Sequence, residues 1–196
     1  MAKGKRGDEA LSILTRAVDH LSRGDSGRAA AEAEQAKKLA PRSAAVREVL
    51  GLAHYGQERF REALSEMQAY RRMSGRADQN HIVADCYRAL GQPEKAVDLA
   101  EEAVRAKIPD EARAEAAVVG ASALAELGRI EQALALLHRL PTRPDVGRPF
   151  DLRIWYVTGD ILERAGRRSE AAKEFRRVLR YDPAAFDAAE RLAQLD

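Results

Sequence analysis

Apolar positions recur three and four residues apart along the chain, as at Leu11, Leu14, Val18 and Leu21, with charged residues between. That stride marks helices with one face turned inward. Five helical stretches stop at a glycine or polar turn and meet an alanine five residues later: Gly24 to Ala29, Glu58 to Ala63, Gly91 to Ala96, Gly128 to Ala133 and Gly166 to Ala171. The alanines are 34, 33, 37 and 38 residues apart. Twelve positions before each stands a small residue, namely Ala17, Gly51, Ala84, Ala121 and Gly159; two units close with Pro41 and Pro183. Small side chains on both sides of a turn let two helices lie close together, while larger residues fill the space around them. A self-similar stride of this length defines an internal repeat.

The pattern predicts an all-α chain of five helix–turn–helix units over 10–41, 44–75, 77–109, 114–140 and 152–183. A basic flexible tail is expected over 1–7 and a closing helix over 184–196, where Phe186, Ala189, Leu192 and Leu195 recur among charged residues. Such a helix covers the exposed core of the last unit in a repeat array. Ser43, Asp110 and Asp182 stand where N-caps are expected, and Pro93 and Pro183 where a first helical turn tolerates proline. The connection from Pro141 to Phe150, with three prolines and Gly147, reads as slack between repeats, with a hinge or binding loop as the alternative.

These residues resemble the tetratricopeptide repeat, a helix–turn–helix unit of about 34 residues, over nearly the whole chain. The fifth unit matches at Trp155, Gly159, Leu162, Gly166, Ala171, Phe175 and Pro183. The second matches at Leu50, Gly51 and Ala63 but has Glu58 at its turn and Gly75 where proline is common. The fourth departs most, with Gly120 where leucine is usual. The resemblance implies a right-handed α-solenoid of antiparallel helix pairs whose first helices line a concave, non-catalytic groove for another protein. From Ala69 to Ala96, the stretches Arg71-Arg72-Met73-Ser74-Gly75, Ala84-Asp85-Cys86 and Arg88-Ala89-Leu90-Gly91 also resemble a group of uncharacterised actinobacterial tetratricopeptide proteins.

On the repeat register, groove positions are Leu11, Leu14, Val18 and Leu21 in the first unit and Glu48, Leu52 and Tyr55 in the second. They continue as His81, Asp85 and Arg88, then Val118 and Ser122, then Arg153, Tyr156, Asp160 and Glu163. The surface is apolar at its N-terminal end and polar towards the other. Ala10, Ile13 and Ala17 already supply a packing face for the first helix, so the leucine stripe is surplus and points to a partner helix, a peptide or a second copy of the chain. Burial of the stripe within the array is the competing expectation. Some tetratricopeptide proteins hold a partner's C-terminal carboxylate with lysines and asparagines; with Asn80 the only asparagine and no lysine in the groove, that mode is not expected here.

Composition narrows the chemistry. Aromatic residues are 5% and charged residues 33%, and 33 basic against 31 acidic side chains give a net charge of +2. Without Lys3, Lys5 and Arg6 the balance is 30 against 31, so nucleic acid and anionic membrane are not expected ligands. Arg164, Arg167, Arg168, Arg176, Arg177 and Arg180 crowd the fifth unit and keep an RNA-associated role as an alternative, although acidic residues alternate with them. The lone Cys86 excludes an intrachain disulfide, and the first residues lack a secretory pattern, so a soluble cytoplasmic protein without membrane spans is expected. His20, His54, His81 and His138 form no zinc pattern, and the glycines form no phosphate loop. His81 and Asp85 lie one helical turn apart, and Cys86 is a lone thiol; each reads as structural, leaving no catalytic residue, metal or cofactor expected.

Overall fold

The computed structural model describes residues 2–143 and 145–195. Among them are eleven helices: α1 (Ala2–Ser22), α2 (Ser26–Leu39), α3 (Ala44–Tyr55), α4 (Phe60–Ser74), α5 (Asn80–Ala89), α6 (Pro93–Arg105), α7 (Asp110–Glu126), α8 (Ile130–His138), α9 (Pro149–Arg164), α10 (Arg168–Leu179) and α11 (Ala188–Leu195). No strand occurs among the described residues. The chain forms two compact units, Met1–Gln92 and Pro93–Asp196. In the first, α1 packs on α2, α3 on α2 and α4, and α5 on α4; in the second, α7 packs on α6 and α8, α9 on α10, and α11 on α10.

The small residues lie where helices touch. In the first unit Ala17, Ala29, Ala33 and Ala53 are sealed in one cluster with Val49 and Leu50. A Cβ on Gly51 would come within 2.9 Å of the Met67 side chain. In the second unit a larger core gathers Trp155, Phe175, Ile161, Leu137 and Val178. There a Cβ on Gly159 would meet the Phe175 ring at 2.7 Å, and one on Gly120 would meet the Cβ of Ala100 at 2.5 Å. Gly120 therefore stands in place of leucine because α6 and α7 approach too closely for any side chain.

The turns explain a second departure. Gly24, Gly91, Gly128 and Gly166 have φ between 72° and 76°, and Glu58 takes the same left-handed role at φ 58°. A residue with a Cβ tolerates that region poorly. Gly75, at φ 69°, ends α4 in the left-handed conformation and donates its N–H to the Arg71 carbonyl.

Three boundaries differ from expectation. Residues 2–7, expected as a flexible tail, continue α1, while Met1 lies outside the described residues. Asp110 is the first residue of α7, and Pro109 occupies its N-cap. Asp182 accepts a hydrogen bond from the Ala184 N–H at 2.9 Å, but the chain then turns through Phe186 at φ 55°, so the closing helix starts only at Ala188. Ser43 does cap α3, accepting from the Val46 N–H. In the 141–150 connection, Arg148 donates to the buried Asp151 carboxylate and to the Pro141 carbonyl. The Tyr181 ring lies against Gly147, where a Cβ would clash.

Candidate functional site

In the first unit the expected positions share the face formed by α1, α3 and α5. Leu11 is 65% exposed and Val18 48%. Leu14 and Leu21 are half-buried against the unit's own core, so the surplus stripe is two residues rather than four. The cause is geometric: positions three residues after Leu11 and Val18 turn towards α2 and α3. Leu52 is half-buried on the neighbouring helix. At the far edge the side chains are linked. The Tyr55 hydroxyl donates to Asp85 Oδ2 at 2.6 Å, Arg88 Nε donates to Asp85 Oδ1 at 2.8 Å, and Gln79 Nε2 donates to Glu48 Oε1 at 2.7 Å. Burial, then the bond to Asp85, pushes the Tyr55 phenol well above its usual pKa.

The same links bear on two candidate chemistries. Both Asp85 oxygens accept hydrogen bonds, and His81 Nδ1 lies 3.1 Å from the Asp78 carbonyl. Burial, with Asp85 adding to it, raises the Cys86 thiol to about 12, which removes the thiolate a nucleophile needs. Among the described residues no group of three or more His, Cys, Asp or Glu is placed to hold a metal ion.

Most of the corresponding face of the second unit is engaged by its own chain, with Arg153 left exposed. Val118 is only 5% exposed and belongs to the core, contrary to its expected place on the groove. The Ser122 hydroxyl turns back to the Val118 carbonyl. Arg153 pairs with Glu115 at 3.0 Å. Tyr156 stacks 4.4 Å from Phe186 and donates to Asp187 at 2.6 Å. Asp160 is held by Arg191 at 2.8 Å and Arg164 at 3.1 Å, and Arg191 also grips Glu163.

Sequence reasoning named Phe186 in the closing segment but missed the polar partners Glu115, Asp187 and Arg191. Each inner-face pair is separated by about one repeat: 30 residues from Tyr55 to Asp85, and 31 from both Glu48 to Gln79 and Tyr156 to Asp187. Complementary polar residues at that offset were the available signal.

Stacked helix pairs with small contact residues and a face built from alternate helices define a helical repeat scaffold. A Tetratrico peptide repeat model matches residues 82–180, and a Tetratricopeptide repeat model matches residues 14–80. The chain belongs to the tetratricopeptide repeat family. No curated protein sequence matches it significantly. Among solved structures it resembles a thermophilic tetratricopeptide repeat protein from Thermus thermophilus, at 19% identity and TM-score 0.73, over 95% of this chain and 98% of that one. It also resembles YrrB, described as having an unusual peptide-binding site, at 20% identity and TM-score 0.64, over 96% and 94%. A third likeness is the apo quorum sensor NprR from B. thuringiensis, at 14% identity and TM-score 0.75, over 95% of this chain and 57% of that one. These likenesses define the fold. The family is in general one of protein-interaction scaffolds, and no helix among the described residues is long and apolar enough to cross a membrane.

Proposed function

We propose that the α1–α3–α5 face of the first unit docks an apolar helix or extended peptide of a partner protein, without catalysis or a cofactor. One observation carries the reading: the apolar Leu11 and Val18 stand open on α1, whereas in the second unit Tyr156, Asp160 and Glu163 are engaged by its own chain and the exposed Arg153 is charged. Leu11 and Val18, with the half-buried Leu14, Leu52 and Tyr55 beside them, provide the apolar end. Asp85 and Arg88, already oriented by their mutual bond, set the polarity of the bound segment. Asp160 belongs to the covered face and has no part in this reading. The peptide-binding site described for YrrB makes such docking a known use of the architecture. A cytoplasmic setting accords with the single, buried thiol.

A photo-reactive residue at Val18 or Leu52 tests the reading in the native host. A discrete adduct with another polypeptide is expected from both positions, absent from a probe at Lys173 and lost in the Leu11→Glu, Val18→Glu variant. No adduct specific to the first unit overturns it. The same exposed pair favours a second reading, self-association through α1. It predicts an adduct of twice the chain mass and a sedimentation coefficient that falls in Leu11→Glu; a wild-type monomer at all concentrations removes it. The RNA-associated alternative finds no support, because each of its six arginines has an intramolecular partner.

A further inference from the structure

Glu48 stands on α3 one turn before Leu52 and two before Tyr55, on the face proposed to dock a partner. It is half-buried, and Gln79 Nε2 donates to its Oε1 at 2.7 Å. That bond orients the carboxylate without neutralising it, because an amide carries no charge. Arg47, the preceding residue, is committed to Glu66 at 2.7 Å and to the Pro41 carbonyl. Asp78 and Asp85 hold the next arginines, Arg76 at 2.6 Å and Arg88 at 2.8 Å. Among the described residues, no basic side chain lies within 4.0 Å of Glu48.

This sets Glu48 apart. Every other buried or half-buried carboxylate among the described residues has an arginine or lysine within 4.0 Å. A charge partly withdrawn from water and left without a counter-charge is a cost to the fold. The repeat does not require it. Three residues before the small contact residue, the other four repeats carry Leu14, His81, Val118 and Tyr156, none of them acidic. The charge of Glu48 is also felt inside the unit. Burial first, then the bond to Asp78, then Glu48 push the Tyr70 phenol up to about 12.

We propose that the partner segment docked on the α1–α3–α5 face carries a lysine or arginine, whose charge is placed against Glu48 while an apolar side chain covers Leu11 and Val18. The inference rests on the docking reading of that face and adds the charge of its occupant. Glu48 Oε2 accepts no bond within the fold, so a cationic donor completes the carboxylate, and an acidic segment is repelled. A short segment fits the face better than a second copy. Two open apolar side chains fall well short of the roughly 800 Å² per partner that a stable pair of folded chains buries.

The test selects a displayed library of random short peptides on the full chain. The wild type is expected to enrich peptides that pair an apolar side chain with a lysine or arginine. Glu48→Gln should lose the basic preference, and Leu11→Glu, Val18→Glu, altered only at exposed positions, should lose all enrichment. Glu48→Gln keeps an oxygen for the Gln79 amide, so its melting curve should match the wild type. The leading peptide, synthesised with capped termini, is then titrated beside a version with glutamine in place of its basic residue. That change should weaken binding to the wild type by about three- to tenfold and leave binding to Glu48→Gln unaltered. Apolar enrichment without a basic preference, or a preference that survives Glu48→Gln, overturns this inference and leaves the docking reading standing. No enrichment relative to Leu11→Glu, Val18→Glu overturns the docking reading and this inference with it. A wild-type dimer that dissociates in Glu48→Gln places a second copy's cation on Glu48 and overturns the assignment to a partner segment.

Discussion

The two units share one repeat register but finish their surfaces differently. In Pro93–Asp196, the segment from Phe186 to Arg191 stacks on Tyr156 and neutralises Asp160 and Glu163. In Met1–Gln92, Tyr55 and Asp85 close one edge of the face, while Leu11 and Val18 at the other edge remain open. The cores differ in the same direction. Trp155 and Phe175 fill the second with rigid rings, and Met67 with small alanines fills the first. The unit with the rigid core engages most of its face with its own chain, and the unit with the adaptable core keeps both an open apolar pair and a roomier cleft between α2 and α4.

The largest effect separating the units is removal of Trp155. It is buried, lies 5.7 Å from the Tyr181 ring and carries the Arg177 guanidinium over its face at 4.5 Å. Trp155→Ala is expected to cost about 3–5 kcal/mol in denaturant unfolding, with hydrogen exchange lost first in α9 and α10. Uniform loss across α1–α4 would show that the cores are not separate in the sense argued.

Glycine replacement sharpens the contrast between rigid and adaptable cores. Gly159→Ala drives a Cβ into the Phe175 ring, at an expected cost of about 1–3 kcal/mol. Gly51→Ala meets only the flexible Met67 and is expected to cost under about 1 kcal/mol, because methionine repacks. Equal melting shifts would refute the distinction.

Arg191→Ala tests the cover itself. Losing its contacts with Asp160, Glu163 and Tyr156 is expected to cost about 1–2 kcal/mol at this partly exposed site. It should also speed amide exchange in α11; unchanged exchange there would mean that other contacts hold the segment.

Smaller again is the turn exchange. Glu58→Gly is expected to stabilise the first unit by about 0.5–1 kcal/mol, since φ 58° suits glycine. Gly166→Ala is expected to destabilise the second by about 1 kcal/mol at φ 76°. Thermal melts that move in the same direction would contradict the backbone argument.

The subtlest difference is in pH response. Burial first, then Arg59, lowers the pKa of His54 below its usual value, while Glu34, Glu62 and Glu66 oppose the shift. The unfolded chain therefore binds this proton more readily. The resulting stability is complete above the ordinary histidine pKa and is lost as pH falls through that value towards the lowered one. Leu162 at the corresponding position cannot titrate. Denaturant midpoints of the wild type should therefore fall more steeply than those of His54→Leu between about pH 7 and 5; parallel curves would exclude the buried imidazole as the cause.

Much of the architecture was legible before any coordinates. Ala17, Gly51, Ala121 and Gly159, with the alanine after each turn, sit at helix contacts because a close approach can be read from residue size alone. Ser43 was legible as a cap because its hydroxyl serves an N–H three residues away. The site was less legible. The same stride that placed Val18 on an open face placed Val118 there too, yet Val118 is buried, because exposure depends on which helix arrives beside it. Leu14 and Leu21 were read as surplus, and the unit's own core takes much of them.

Local chemistry and repeated spacing were thus enough to determine helices, turns and the family of packing, since those rest on interactions within a few residues or on a stride that recurs. Which faces stay open was decided only in three dimensions. The bond from Tyr156 to Asp187, the approach of Ala100 to Gly120 and the unpartnered Nδ1 of His54 join or separate groups far apart in the chain. Their outcome depends on distances of a few ångströms that no single helix specifies.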